Sequence, residues 1–320
     1  MKYYFAPLEG ITDYIYRNLH RRYFPGVDKY FTPFLSPTQN HIFAPRELRQ
    51  IAPENNRDVP LVPQLLTKEG EDFLWAANVL ADMGYEQVNL NAGCPSGTVT
   101  AKGKGSGLLA DPDSLRRLLD EIFAKTPIAV SVKTRLGMDD VGEFPAILDI
   151  YNDYPIAELI VHPRTKREMY KGAVHMDSFA QAAAGTDLLL CYNGDISNAA
   201  DCHRIAQQFP GVTAIMLGRG LVADPALIAA MHGTRRDKQT LRRFHEELCQ
   251  SYCEAFGGPA SAMHRMKAIW SYMLTGFQGG AAYEKQLVKV RRWPDFLTLT
   301  GEIFSRLELA ENDGDRSAAQ

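Results

Sequence analysis

No apolar stretch in the sequence approaches the roughly 18–20 residues that cross a bilayer, and the opening MKYYFAPLEG lacks the regions of a signal peptide. The five cysteines (94, 191, 202, 249 and 253) are odd in number and form no CxxC pair, which argues against a disulfide framework and a zinc ribbon. A reducing cytoplasm is the natural setting for such a chain. Nucleotide fingerprints are missing as well: GKGSG at 103–107 does not follow a strand as GxGxxG requires, and no GxxxxGKS or GxxxxGKT occurs. There is no HExxH and no carboxylate cluster with ligand spacing, so no metal is expected. Cys249 and Cys253 lie one helical turn apart without nearby histidine spacing and read as small buried hydrophobes.

What is present is a globular composition, 45% hydrophobic and 23% charged over 320 residues, with a formal net charge of −3. The charge is unevenly spread. Residues 235–292 carry 11 Lys and Arg against 5 Asp and Glu, a possible polyanion footprint, whereas residues 293–320 carry 2 against 6. Eight apolar, β-rich runs recur at 3–8, 29–35, 59–66, 87–93, 128–135, 158–164, 188–195 and 214–220. Near-continuous Val, Ile and Leu suit parallel strands buried on both faces. Helical patterns lie between them, among them DPDSLRRLLDEIFAK, with Asp111 as N-cap and Pro112 at the first helical position, and SNAADCHRIAQQFPG, with Ser197 as cap. Eight βα units predict a (β/α)8 TIM barrel over residues 1–235. Strand signals stop there, and three amphipathic patterns predict a small helical domain over 236–310, followed by a polar tail, 311–320, read as disordered.

In such a barrel, catalytic groups stand at the C-terminal ends of the strands. Those ends carry Pro7, Gln64, Asn91, Lys133 with Arg135, His162 with Arg164, Asn193 with Asp195, and Gly218 with Arg219. A ring of polar residues closing apolar strands is costly unless it faces a cavity or a ligand. The glycine turns YNGDIS and MLGRGLVADP follow strands seven and eight, the usual barrel phosphate position, and Arg219 could pair with that phosphate. A phosphate site beside amide, lysine and histidine groups suits flavin mononucleotide (FMN): Gln64 and Asn91 can hydrogen-bond the ring, and Lys133 can stabilise the anion of the reduced flavin. At NLNAGCPSG, residues 89–97, a lone cysteine leaves the strand early, and Pro95 stiffens the loop that presents it.

APLEGITD, PQL, NLNAGCP, VKTRLG, HPRTKREMYKG, NGDI and LGRG, in that order over about residues 4–225, resemble the tRNA-dihydrouridine synthases, flavin enzymes that reduce uridines in transfer RNA. HRMKAIWSYM looks like a divergent form of a motif in the helical domain that this family uses to hold tRNA. The resemblance implies that hydride passes from the flavin to C6 of the uracil while Cys94 protonates C5. An ordinary thiol, with a pKa of about 8.5, carries the proton this needs at neutral pH. It also implies flavin contacts at Pro7, Gln64, Lys133, His162, Asn193, Asp195, Gly218 and Arg219, with Asn91 near both flavin and uracil, and NADPH as a reductant that visits transiently. RNA is expected to meet Arg135, Arg164, Lys102, Lys104, Arg265, Lys267, Arg291 and Arg292. Two positions depart from the family's pattern: Pro163 stands where glycine is frequent, removing an N–H, and Leu8 where methionine is common.

Two other readings share these residues: an FMN barrel acting on a free pyrimidine, as in dihydroorotate or dihydropyrimidine chemistry, and an RNA-binding barrel without catalysis. The basic helical segment disfavours the first, and the joint presence of Cys94, Lys133 and His162 disfavours the second. A flavin-free phosphate-binding lyase or isomerase is weaker still, as no Schiff-base or carboxylate pattern stands out. No exposed heptad or long apolar stripe requires a partner, so a monomer is expected, and the choice of tRNA uridine is not readable from the sequence.

Overall fold

Proline has no N–H to give to a β-ladder, and Pro63 determines where the barrel closes. The computed structural model describes residues 1–310; the polar tail expected at 311–320 lies outside them. Nine parallel strands form one sheet: β1 (Lys2–Phe5), β2 (Lys29–Phe31), β3 (Leu61–Val62), β4 (Gln64–Leu65), β5 (Gln87–Ala92), β6 (Ala129–Arg135), β7 (Leu159–His162), β8 (Leu190–Tyr192) and β9 (Ala214–Leu217). Their spatial order is β3-β2-β1-β9-β8-β7-β6-β5-β4. The two edge strands are consecutive in the chain and separated by Pro63 alone, so the eight expected runs are eight staves with the third one split. The β2 side mends the split with a side chain: Thr32 N–H donates to Val62 O at 3.2 Å, and Thr32 Oγ1 accepts from Gln64 N–H at 2.9 Å.

The lumen is filled on one side by Tyr4, Phe31, Val62, Ile160, Cys191 and Met216. On β5 the pattern is alternating rather than continuously apolar. Val88, Leu90 and Ala92 pack outward with the helices, so the period of two turns Asn89 and Asn91 inward. Outside, the helix Pro112–Lys125 starts as the sequence predicts, with the Asp111 side chain accepting from Ser114 N–H. The helix Ala199–Gln208 is capped one residue later than predicted: Asn198, not Ser197, accepts from Asp201 N–H. Ser197 instead gives its own N–H and hydroxyl to the Asp201 carboxylate.

Beyond residue 235 come the helices Lys238–Ala255, Pro259–Met273, Glu284–Lys289 and Trp293–Arg306; Trp270, on the second, is fully buried and donates its indole N–H to His245 Nδ1 on the first at 3.2 Å. The buried apolar cluster runs without interruption from the barrel into these helices. Phe244 sets its ring against Tyr16 and Tyr23 of the first barrel helix, Tyr14–Tyr23, and against Phe24 just after it, with centroids 5.5, 5.9 and 5.2 Å away. Tyr252 donates to Asp13 Oδ1 at 3.2 Å, and Arg265 to Gly10 O at 2.7 Å. Among the described residues no helix is long and apolar enough to cross a membrane.

A core shared in this way should melt as one. Phe244→Ala is expected to lower the stability of the whole chain by about 3–5 kcal/mol, read as a shift of a single denaturant transition. A separate early transition confined to the helical half would show that the two parts unfold independently.

Candidate functional site

β5 ends at Ala92, and the next residues are fixed by side chains rather than by the ladder. Asn91 Oδ1 accepts from Gly93 N–H at 3.1 Å and from Cys94 N–H at 2.9 Å. Its Nδ2 donates to Gln64 Oε1 at 2.8 Å, Gln64 Nε2 donates to Asn89 Oδ1 at 2.8 Å, and Asn89 Nδ2 donates to Ser131 Oγ at 2.9 Å. All four side chains of this relay are buried. From the opposite side, Cys94 O accepts Ser106 N–H at 3.0 Å and Ser106 Oγ–H at 2.9 Å. Gly105 makes that approach possible: its φ is +59°, and a Cβ there would stand 2.8 Å from Cys94 O. Arg135 adds a third brace, donating from Nε to Gly93 O at 2.9 Å. Cys94 is thus held half-buried in the wall of a cavity of about 390 Å³ at the C-terminal mouth of the barrel.

All nine residues expected at a cofactor, from Pro7 to Arg219, line this cavity with Cys94. Its electrostatics are cationic. Burial, then Arg135, push the Lys133 ammonium down to about 8, so it is charged at neutral pH. His162 is held well below its ordinary value, first by burial and then by the charges of Lys133, Arg135, Arg164 and Arg219. Asp195 occupies the left-handed region, φ +43°, a strained conformation for a residue with a side chain. It forms ion pairs with Arg164 and, at 2.9 Å, with Arg219. Burial raises its pKa, but its bonds to Arg164 and the nearby Arg219 charge outweigh that and keep it below the ordinary carboxylate value. Asn193 donates to Met216 O at 2.8 Å. The two glycine turns touch: a Cβ on Gly220 would lie 2.1 Å from Ile196 O.

The residues expected to meet RNA are divided by their surroundings. Arg135 and Arg164 are each only 1% exposed, and the expectation that they face RNA does not fit that burial. Arg135 holds Gly93 O and, at 2.8 Å, Thr165 O; Arg164 is bonded to His162 and Asp195. Arg265 is half-buried, tied to Gly10 O and lying over the Phe256 ring. Lys267 gives its ammonium to Val288 O and Val290 O, both at 2.8 Å. Lys102 is exposed and Lys104 half-buried, and neither lines the cavity. Arg291 and Arg292 are exposed in the turn ahead of the helix Trp293–Arg306, not on a helix.

Several cavity residues were not singled out from the sequence. Tyr170 stands at the rim, 54% exposed, with the guanidinium groups of Arg135 and Arg219 at 5.1 and 5.5 Å from its ring centroid. Glu9 and Tyr272 also line the mouth, the latter from the helix Pro259–Met273. Asn89 was detectable, because the alternation Asn-Leu-Asn is unlike a strand that is apolar on both faces. Ser106 and Tyr272 carry no such signal; only the packing brings them in.

The family model described as Dihydrouridine synthase (Dus) matches residues 4–302. A Bacillus subtilis (strain 168) protein named "Probable tRNA-dihydrouridine synthase 2" is 29% identical over 294 residues, 89% of each chain. The "tRNA-dihydrouridine(16) synthase" of Cupriavidus necator is 32% identical over 238 residues, 72% of this chain and 73% of its own. Among solved structures, morphinone reductase in complex with tetrahydroNAD superposes with a TM-score of 0.51 at 12% identity, covering 75% of this chain and 89% of that one. At that identity the likeness concerns the fold alone.

The clamp around Cys94 can be tested through its thiol. Gly105→Ala costs about 1–2 kcal/mol for the left-handed backbone alone and pushes on the Cys94 carbonyl, so alkylation of Cys94, followed by mass spectrometry, should change rate markedly. Ser106→Ala keeps the N–H bond and should change it less. Equal rates in wild type and Gly105→Ala would mean that the loop is not held from this side.

Proposed function

The chain belongs to the dihydrouridine synthase family, and on that premise we propose that it reduces the C5–C6 double bond of uridine in tRNA, using a bound flavin mononucleotide and NADPH as transient reductant. The observation that carries this reading is the half-buried thiol of Cys94, fixed by Asn91 and Ser106 in the wall shared with Lys133 and His162.

The donor set suits a flavin. Among the described residues the Lys133 ammonium has no protein partner, and Arg164 and Arg219 together outnumber the single carboxylate, Asp195, between them. That end of the cavity is therefore net positive where a phosphate belongs, with the two touching glycine turns as its wall. Arg219, 46% exposed in its side chain, is the cation free to turn to that phosphate, oriented by Asp195. Lys133, Gln64, Asn91 and His162 line the same cavity and would supply hydrogen bonds to the ring system. When bound, the flavin supplies the hydride that goes to C6 of the uracil. Cys94 Sγ gives the proton to C5, and the two additions together saturate the bond. Asn91 sets the position of that thiol by accepting from the Cys94 backbone N–H.

Residues 1–235 form the catalytic part in this reading and 236–310 the part that holds tRNA. The target base must leave its stack to reach Cys94. Of the basic residues between 235 and 292, Arg291 and Arg292 are exposed and suited to meet phosphates, Arg292 with the Asp295 carboxylate 3.9 Å away, while Arg265 is tied to Gly10 O and Lys267 to Val288 O and Val290 O. Lys102 and Lys104 border the Cys94 loop and suit the same role. We place the enzyme in the cytoplasm, as a monomer.

The purified protein should show flavin absorption that bleaches on anaerobic photoreduction and returns when uridine-containing tRNA is added. Flavin bands indifferent to tRNA but responsive to a free pyrimidine would overturn the substrate, and a protein that takes up no FMN would overturn the whole reading. Cys94→Ala should retain flavin and tRNA binding and lose at least about a hundredfold in turnover; near-normal uridine reduction would remove Cys94 as the acid. Lys133 gives a pH signature. Its charge is present below about 8 and lost as the pH rises through that value, so FMN affinity measured by fluorescence quenching should be level below about 8 and fall above it. Lys133→Met should weaken binding and abolish that dependence.

A further inference from the structure

Arg164 follows His162 by two residues, and its side chain folds back beneath the imidazole instead of leaving the barrel. Its guanidinium is only 1% exposed. Four of its five N–H groups are taken: Nη1 reaches His162 Nε2 at 3.1 Å and Asp195 Oδ1 at 3.1 Å, while Nη2 donates to Asp195 Oδ2 and Gly172 O. The fifth, on Nε, is buried without a partner. No donor remains for RNA. The contact with the imidazole has a chemical consequence, because a guanidinium can only donate. Nε2 must therefore accept, and in a neutral ring the proton must sit on Nδ1. Among the described residues His162 Nδ1 makes no hydrogen bond, and the ring lines the cavity.

We propose that Arg164 is a positioning residue: by donating to Nε2 of His162 while gripping Asp195 with both nitrogens, it fixes His162 as the Nδ1–H tautomer and leaves that proton available as a donor to the bound flavin. The inference rests on the flavin reading only for what lies opposite Nδ1; the tautomer itself does not depend on it. The same guanidinium ties two strand ends together, since Asp195 in turn orients Arg219. The other charged groups facing His162 are Lys133, Arg135 and Arg219, all cations, and none of them can take a proton from Nδ1 as a hydrogen-bond acceptor while charged. The rim ring of Tyr170, with its centroid 6.1 Å from that of the imidazole, covers the histidine from outside.

The test is the nitrogen-15 NMR spectrum of the histidine side chains in the full-length protein, with and without FMN, the His162 signals being identified by their loss in His162→Gln. The wild type should show a neutral Nδ1–H ring at neutral pH. An Nε2–H tautomer or an imidazolium would overturn the proposal without any variant of Arg164. Arg164→Gln offers Nε2 an uncharged N–H and should keep the tautomer. Arg164→Met offers none and should shift His162 towards a mixture, with FMN affinity falling roughly tenfold. A wild-type tautomer in Arg164→Met would also overturn the proposal, since a residue acting only by packing would leave the signals unmoved. If Arg164→Met does not fold, the wild-type and Arg164→Gln spectra still decide the matter. A protein with the expected tautomer that binds no flavin would instead refute the cofactor reading and leave the role of Arg164 standing.

Discussion

A carboxamide buried in a barrel lumen has to commit both its oxygen and its nitrogen to neighbours, because each unpaired group costs about 1–3 kcal/mol. The relay Ser131–Asn89–Gln64–Asn91 obeys that constraint across three strands, and the rest of the site depends on it. Only the last oxygen, on Asn91, is left to act on something that is not itself an amide side chain, and it holds two consecutive backbone N–H groups. The position of the thiol is therefore set by hydrogen bonds that start in the middle of the barrel. A reacting group on a loop is usually the least certain part of a site; here the loop inherits the rigidity of the strands.

The second organising feature is an excess of positive charge around one small cavity. Lys133, Arg135, Arg164 and Arg219 converge with a single paired carboxylate, Asp195, and burial followed by these charges lowers the pKa of Lys133 and holds that of His162 well below its ordinary value. Self-repulsion of this kind is unfavourable and is relieved by an anion. Two of the cations, Arg135 and Arg164, are spoken for by backbone carbonyls and Asp195, whereas Arg219 lines the pocket with a side chain still 46% exposed.

Much of this was legible in the sequence. The eight runs are the eight staves, and polar residues at their ends predicted the cavity, because a strand end that turns polar must face something. Three things were not legible, each for a physical reason. The third stave is split at Pro63, and the mending of that split depends on the hydroxyl of Thr32, just past the end of β2, which accepts from Gln64 N–H. The fate of the arginines depends on which carbonyls fold within reach: a basic residue beside a strand end looks the same in sequence whether it faces solvent or is enclosed. The shift of a helix cap from Ser197 to Asn198 reflects two good capping residues in succession, with Asp201 close enough to engage the first by its own side chain.

The aromatic contact of Phe244 with Tyr16, Tyr23 and Phe24 bears on how such a protein can diversify. A helical half joined to its barrel by a shared core is not an exchangeable cassette. Transplanting it from a relative would leave rings facing unmatched pockets unless the first barrel helix travelled with it. Inherited changes on its outer faces carry no such burden, so variation among descendants of this chain has an open route over the surface and a narrow one through the seam.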